Sequence, residues 1–188
     1  FCNDQEIARD VTLYLRIHAA YNICHHNPDK HETKEIMGPE DEKENWRQFL
    51  YSNDHPVLVC GDIAEEGLNL QGGNKCIIHF DLPFNPNRIE QRIGRLDRFG
   101  DNEKIKSFVI RCTDDPYEMA WSKVLDKGLS VFDRSIASLQ YIIEEQLEKT
   151  RSNFLNEGED ALKQLTESLS DEDGIVSKEL EEIRNQEI

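Results

Sequence analysis

The sequence predicts an α/β fold: a parallel sheet flanked by helices, followed by a C-terminal helical extension. Three observations lead there. Short continuous apolar runs at 57–60 (VLVC), 76–80 (CIIHF) and 108–110 (FVI) have the length of strands buried on both faces, which is the habit of parallel sheets. Helical patterns alternate with these runs, as crossover connections between parallel strands require. From Pro116 onward the strand signals stop and only helical spacing remains.

The elements follow in order. Phe1, Cys2 and Asn3 read as the end of a strand, which suggests a piece excised from something longer. The residues Asn3-Asp4-Gln5-Glu6 read as a capping box, and Ile7, Val11, Tyr14, Leu15 and His18 continue at helical spacing. Residues 22–38 read as a polar, histidine-bearing loop. Pro39 then opens a helix, with Glu40 and Asp41 in its first turn and Trp46, Phe49 and Leu50 on its buried side. After the second apolar run, Asn85 caps and Pro86 starts another helix, which Gly100 ends. Tyr117, Ala120, Trp121, Val124 and Leu125, then Ile136, Leu139, Ile143 and Leu147, mark two or three amphipathic helices interrupted near Gly128 and Phe132. Past Arg151 the pattern thins to Leu155, Leu162, Leu165 and Leu169 among acids and ends in a frayed stretch. The expected divisions are therefore 1–115 for the α/β domain, 116–150 for a helical extension packed on it, and 151–188 for an acidic, partly helical tail.

Composition narrows the classes. The formal net charge is −16, and residues 144–188 carry fourteen acids against five basic residues. Such a tail repels phosphate, so the 188 residues alone are not expected to grip nucleic acid tightly, and the acidic helices suit a protein partner better. No apolar run approaches the ~20 residues of a membrane span, and no signal-peptide pattern opens the chain. The expected location is the bacterial cytosol, with no membrane association. Five widely spaced cysteines read as buried, reduced thiols rather than a disulfide framework. Cys24, His25, His26 and His31 fit no standard zinc spacing, and no metal site is expected.

The run QRIGRLDR at 91–98, with Arg88 before it, crowds four arginines into an acidic chain. At ~100° per residue, Arg88, Arg92, Arg95 and Arg98 share an arc of roughly 120° that includes Gln91, while Ile89, Ile93 and Leu96 fall on an adjacent arc of about 60°. One side suits a core and the other suits a dense anion, since a guanidinium pairs bidentately with phosphate oxygens. Charge patterning alone also fits a solvated face. Arg88 and Arg92 could equally be structural, pairing with acids such as Glu65 or Glu66. A second loop, GDIAEEGLNLQ at 61–71, offers Gly67 for close backbone approach and Asn69 as both donor and acceptor. Both loops follow strands, so both belong at the carboxyl edge of the sheet, where open α/β folds bind ligands.

Together these segments carry a resemblance. Residues 61–71 resemble motif V of superfamily 2 helicases, 91–98 resemble motif VI, and Phe1-Cys2-Asn3 is similar to the end of motif IV. The stretch DLPFNP at 81–86 followed by QRIGRLDR resembles Snf2-type ATPases of the RapA kind, and the likeness covers about residues 1–145. It implies the second, RecA-like domain of a helicase or translocase that hydrolyses ATP with Mg²⁺. The first RecA-like domain, which is the partner it needs, supplies the phosphate loop and most of the Mg²⁺ ligands. No G-x-x-x-x-G-K-[ST] occurs here, so these residues alone should be inactive.

By position in the motifs, the resemblance makes Arg98 the arginine finger, Arg95 its companion at the γ-phosphate, and Gln91 a residue that orders the site. Gly67 and Asn69 line the nucleotide, and Asn3 and Gly61 touch the nucleic-acid backbone, duplex DNA before RNA. Gly61 stands where many relatives have Thr or Ser, so its contact would be through backbone N–H. Two other readings stay open: a helicase-derived interaction module without catalysis, and the motor subunit of a restriction or phage-defence system.

Overall fold

The computed structural model describes residues 1–19, 22–26, 45–51, 56–72, 74–97, 105–170 and 174–186. The chain separates into two compact units, Phe1–Pro83 with Gln91–Ile110, and Phe84–Glu90 with Arg111–Ile188.

In the first unit, α1 (Gln5–His18) starts at Asp4, whose side chain accepts the Ile7 N–H at 2.8 Å. Asp4 is thus the cap, one residue beyond the Asn3 of the expected capping box, because Asn3 is engaged elsewhere. β1 (Ile23–His26) pairs in parallel with β2 (Val57–Cys60), Ile23 opposite Val57. This corrects the reading of the segment as loop from residue 22. Its first three side chains are buried, and burial holds the His25 imidazole neutral by lowering its pKa to about 4. A neutral imidazole fills a strand position that a polarity pattern assigns to solvent. α2 (Asn45–Tyr51) supplies Trp46, Phe49 and Leu50 to the core as expected, while the proposed helix start at Pro39, Glu40 and Asp41 lies outside the described residues.

β3 (Cys76–His79) pairs in parallel with β4 (Lys106–Val109). Phe1 and Cys2 join the two strand pairs: the Phe1 nitrogen donates to the Ile78 carbonyl at 2.7 Å, Phe80 N–H to the Phe1 carbonyl at 2.9 Å, and Cys2 N–H to the Cys60 carbonyl at 2.8 Å. The order across the unit is therefore β1, β2, Phe1–Cys2, β3, β4. An apolar slot of about 1200 Å³, lined in part by Leu58, Val59, Ile77 and Ile78, runs beside this joint.

Alternation along β2 sends Val57 and Val59 to one face and Leu58 and Cys60 to the other. Val59 packs with Cys2, Ala8 and Ile23 under α1, and Cys60 packs with Ala64, Leu68, Leu70, Ile77 and Leu96. Both faces of β2 are covered, which is why the run reads as continuously apolar. All five cysteines are unbridged. Cys2 and Cys60 are buried thiols, pushed up by desolvation to about 11 and about 12. Cys76 and Cys112 are exposed, contrary to the expectation of uniform burial. Each sits at an outward-facing or terminal position of its apolar run.

The second unit is helical. α5 (Pro116–Lys123) is capped by Asp115, whose carboxylate accepts the N–H groups of Tyr117 and Glu118 at 2.8 and 3.1 Å, with Pro116 in the first turn. It runs into a π-helical turn, Val124–Gly128, and a 3₁₀ turn, Ala137–Leu139, leads into α6 (Gln140–Glu157). Helical structure then continues through the acidic stretch as α7 (Glu159–Ser170) and α8 (Ile175–Gln186). The leucines expected to mark a thinning pattern, Leu162, Leu165 and Leu169, are buried on one face of α7. Among the described residues no helix is long and apolar enough to cross a membrane.

Candidate nucleotide site at the carboxyl edge of the sheet

β2 ends at Cys60 and the chain turns through Gly61 into α3 (Ala64–Gly67). Gly61 is buried, and a Cβ there would lie 2.5 Å from the Gln5 Oε1 atom and 3.0 Å from the Gln5 Cα. Glycine is required at this point because α1 passes directly over it. Gly67 has the opposite surroundings: a Cβ would meet no described residue within 4 Å, so packing among the described residues gives no reason for glycine there. Asn69 turns its side-chain oxygen to its own loop, accepting the Gln71 N–H at 3.1 Å.

β3 leads through Pro83 into α4 (Pro86–Gly94), whose entry is tightened by the Asn85 Oδ1, which accepts the Asn87 N–H at 3.0 Å. Pro86, Ile89, Arg92 and Leu96 form the buried stripe of this segment. Of the two roles left open for Arg92, an anion-facing one and a structural one, it takes the structural role on the core side. Its side chain has 0% exposure. Nε donates to Glu65 Oε1 at 2.7 Å, Nη1 to the Asp81 carbonyl at 3.0 Å, and Nη2 to Asn3 Oδ1 at 2.9 Å. The Phe1 ring lies 5.8 Å from the guanidinium carbon, and Asp81 Oδ1 is 3.9 Å from Nη2. Burial pushes the Asp81 carboxyl above its usual range, opposed by the Asn3 backbone N–H and by Arg92.

One buried cation therefore ties together the three segments that resemble motifs IV, V and VI. Asn3 takes part through both ends of its carboxamide, since its Nδ2 donates to the Leu82 carbonyl at 3.3 Å. The pairing of Arg92 with Glu65 is one that the sequence offered, whereas Asp81 was not singled out as its partner. Glu65 carried a signal, an acid within a turn of a strand end facing an arginine helix. Asp81 contributes a backbone carbonyl, which residue type cannot reveal.

Arg95 stands one turn beyond Arg92 and is half-buried, and its Nε is buried with no hydrogen-bond partner among the described residues. Its carbonyl accepts the Leu70 N–H at 2.9 Å, which places the Gly67–Asn69 loop beside it. Gln91 is exposed on the same helix, and Gly94, also exposed, has open space where a Cβ would stand. Arg98, the expected finger, lies outside the described residues, as does His31. Among the described residues no group of three or more His, Cys, Asp or Glu side chains converges in a way that could hold a metal.

The chain matches the helicase conserved C-terminal domain family over residues 1–100. It belongs to that family. Curated relatives include the RNA polymerase-associated protein RapA of Vibrio campbellii, 33% identical over 154 residues that cover 63% of this chain and 16% of the relative. RapA of Vibrio parahaemolyticus is 45% identical over 78 residues, covering 40% of this chain and 8% of the relative. The likeness to Snf2/RapA-type ATPases thus extends beyond the motifs, and the matched stretches make up a sixth or less of these relatives. In fold, the chain is similar to the C-terminal part of the Fun30 ATPase domain, with a TM-score of 0.50 at 18% identity over 81% of this chain and 47% of that one. A RecA-like second helicase domain with a helical extension accounts for both likenesses.

Proposed function

We propose that this helicase C-terminal domain is the second half of a Snf2/RapA-like ATPase motor, closing on an ATP·Mg²⁺ held mainly by a first RecA-like domain. One observation carries the reading: the Leu70 N–H bonded to the Arg95 carbonyl, which sets the Gly67–Asn69 loop next to an arginine whose Nε has no partner among the described residues. A buried guanidinium N–H without an acceptor is unfavourable, and a phosphate oxygen is the acceptor such a group fits best. No described residue would lie within 4 Å of a Cβ at Gly67 or at Gly94, which leaves room for a nucleotide to approach the backbone. In this reading Arg95 and Arg98 stabilise charge on the γ-phosphate as hydrolysis proceeds, Gln91 orders the site, and Asn69 lines the nucleotide. Asn3 and Gly61 serve the nucleic-acid side, with duplex DNA as the track. The acidic helices α7 and α8 are the place for a protein partner.

The test uses the complete protein with its first domain. Arg95→Ala and Arg98→Ala should each lower DNA-stimulated ATP hydrolysis by about 10³-fold or more, the range of arginine fingers, while nucleotide binding largely survives. Unchanged turnover in both variants would refute the assignment. Residues 1–188 alone should not hydrolyse ATP and should bind DNA only in a weak, salt-sensitive way.

A further inference from the structure

The start of α4 belongs to the helical unit and is gripped there by side chains that, Phe84 apart, lie outside the motif-like segments. Glu90 accepts two hydrogen bonds from the loop before the 3₁₀ turn: one from the Ser135 hydroxyl to Oε1, and one from the Ile136 N–H to Oε2 at 3.4 Å. That loop is rigid. The N–H groups of Asp133 and Arg134 both donate to the Ser130 carbonyl, Arg134 Nε donates to the Leu129 carbonyl at 3.1 Å, and Ile136 and Leu139 are fully buried. At the other end of the turn, Phe84 is sandwiched. Trp121 stacks on it with ring centroids 5.0 Å apart and 19° between planes, and the Arg151 guanidinium lies 5.4 Å from the ring centroid. Phe84 stands just before Pro86, whose fixed φ transmits that anchor stiffly into the helix.

We propose that Glu90, with Phe84, is a positioning residue for the hydrolytic step: it fixes the first turn of α4 and thereby sets where the helix presents Arg95. The inference rests on the nucleotide reading of Arg95. Arg95 follows Glu90 by five residues, about 7.5 Å along a helix at 1.5 Å per residue. A shift of the first turn therefore reaches Arg95 through continuous backbone hydrogen bonding. Transition-state contacts are sensitive to such displacement, since about 1 Å of misplacement can cost on the order of 10²-fold in rate. Binding of ground-state nucleotide depends on many other contacts and is affected less.

The experiment compares E90A, E90Q and S135A in the complete protein, reading kcat and KM for ATP together with the thermal midpoint. It then repeats E90A in the R95A background. E90A should lower kcat about tenfold with KM nearly unchanged. S135A should act in the same direction more weakly, and E90Q, which keeps an acceptor oxygen, should recover part of the loss. In the R95A background E90A should change the residual rate less than twofold, because effects that run through one residue are not additive. An equal fall in both backgrounds, or a kcat that simply follows the thermal midpoint across variants, overturns the positioning role in favour of a purely structural staple. A wild-type protein without stimulated hydrolysis overturns the functional reading itself, whereas an active wild type with an unaffected E90A overturns only this inference.

Discussion

At Arg92 a guanidinium with no exposed surface donates to Glu65, to the Asp81 carbonyl and to Asn3. Taking such a charge out of water costs several kcal/mol, and the pairing repays it only when the geometry is good and the remaining N–H groups find acceptors. Here each of the three guanidinium nitrogens has an acceptor. Glu65→Leu alone should leave the cation uncompensated and lower the unfolding free energy by about 3–5 kcal/mol, measured by urea denaturation. Adding Arg92→Met should return much of that stability, since an apolar pair can replace a buried ion pair at little cost. A double variant no better than the single one would place the value of Arg92 in its bonds to Asn3 and the Asp81 carbonyl instead. On the helical wheel Arg92 shares an arc of roughly 120° with Arg88, Arg95 and Arg98. The spacing of Ile89, Arg92 and Leu96 was equally visible, but a pattern of hydrophobicity counts a charged side chain as outward.

At the scale of elements, β2 and the helix α4 were legible because each rests on local chemistry: an unbroken apolar run, and an Asn-Pro entry. β1 was not, because its partner β2 lies more than thirty residues away in sequence, and its histidines are polar by name but neutral when buried. The helices after Asp115 were legible as amphipathic spacing, though not their breaks. Gly158 separates α6 from α7 with φ +58°, and its N–H returns to the Phe154 carbonyl at 3.0 Å. With ψ −131° it lies outside the left-handed helical well, in backbone space open essentially to glycine alone, where a side chain costs about 1–3 kcal/mol, so Gly158→Ala should lower stability by about that much. Gly67→Ala has open space and no positive φ, and should leave stability unchanged within about 0.5 kcal/mol or raise it. A loss in Gly67→Ala equal to that in Gly158→Ala, by chemical denaturation, would contradict the assignment of Gly67 to ligand approach rather than packing.

For the whole molecule, the buried histidines set a pH dependence. Burial lowers His25 to about 4 and His79, which shares a 2.9 Å hydrogen bond with Ser107, to about 3. Unfolded, both titrate near their ordinary value of 6.5. Between about pH 3 and 6.5 the unfolded chain therefore binds protons that the folded chain refuses. Stability rises with pH through that window and is complete above it. Asp81, raised by burial, works in the opposite sense from the carboxylate range upward. Unfolding free energy measured from pH 4.5 to 7.5 should fall on the acid side. Replacing His25 and His79 together by Gln should flatten the curve, and an unchanged slope would mean that other groups carry it. By itself the sequence determined the α/β class, the order of the three motif-like segments and the arginine-bearing helix, since strand composition, prolines and caps act within a few residues. Only the tertiary structure decided that Arg92 is buried, that Asn3 joins it, that Gly61 is glycine for the sake of Gln5, and that Glu90 is held by Ser135. Each of these depends on groups far apart in the chain meeting in a water-poor interior, where a hydrogen bond or ion pair gains its strength from what surrounds it.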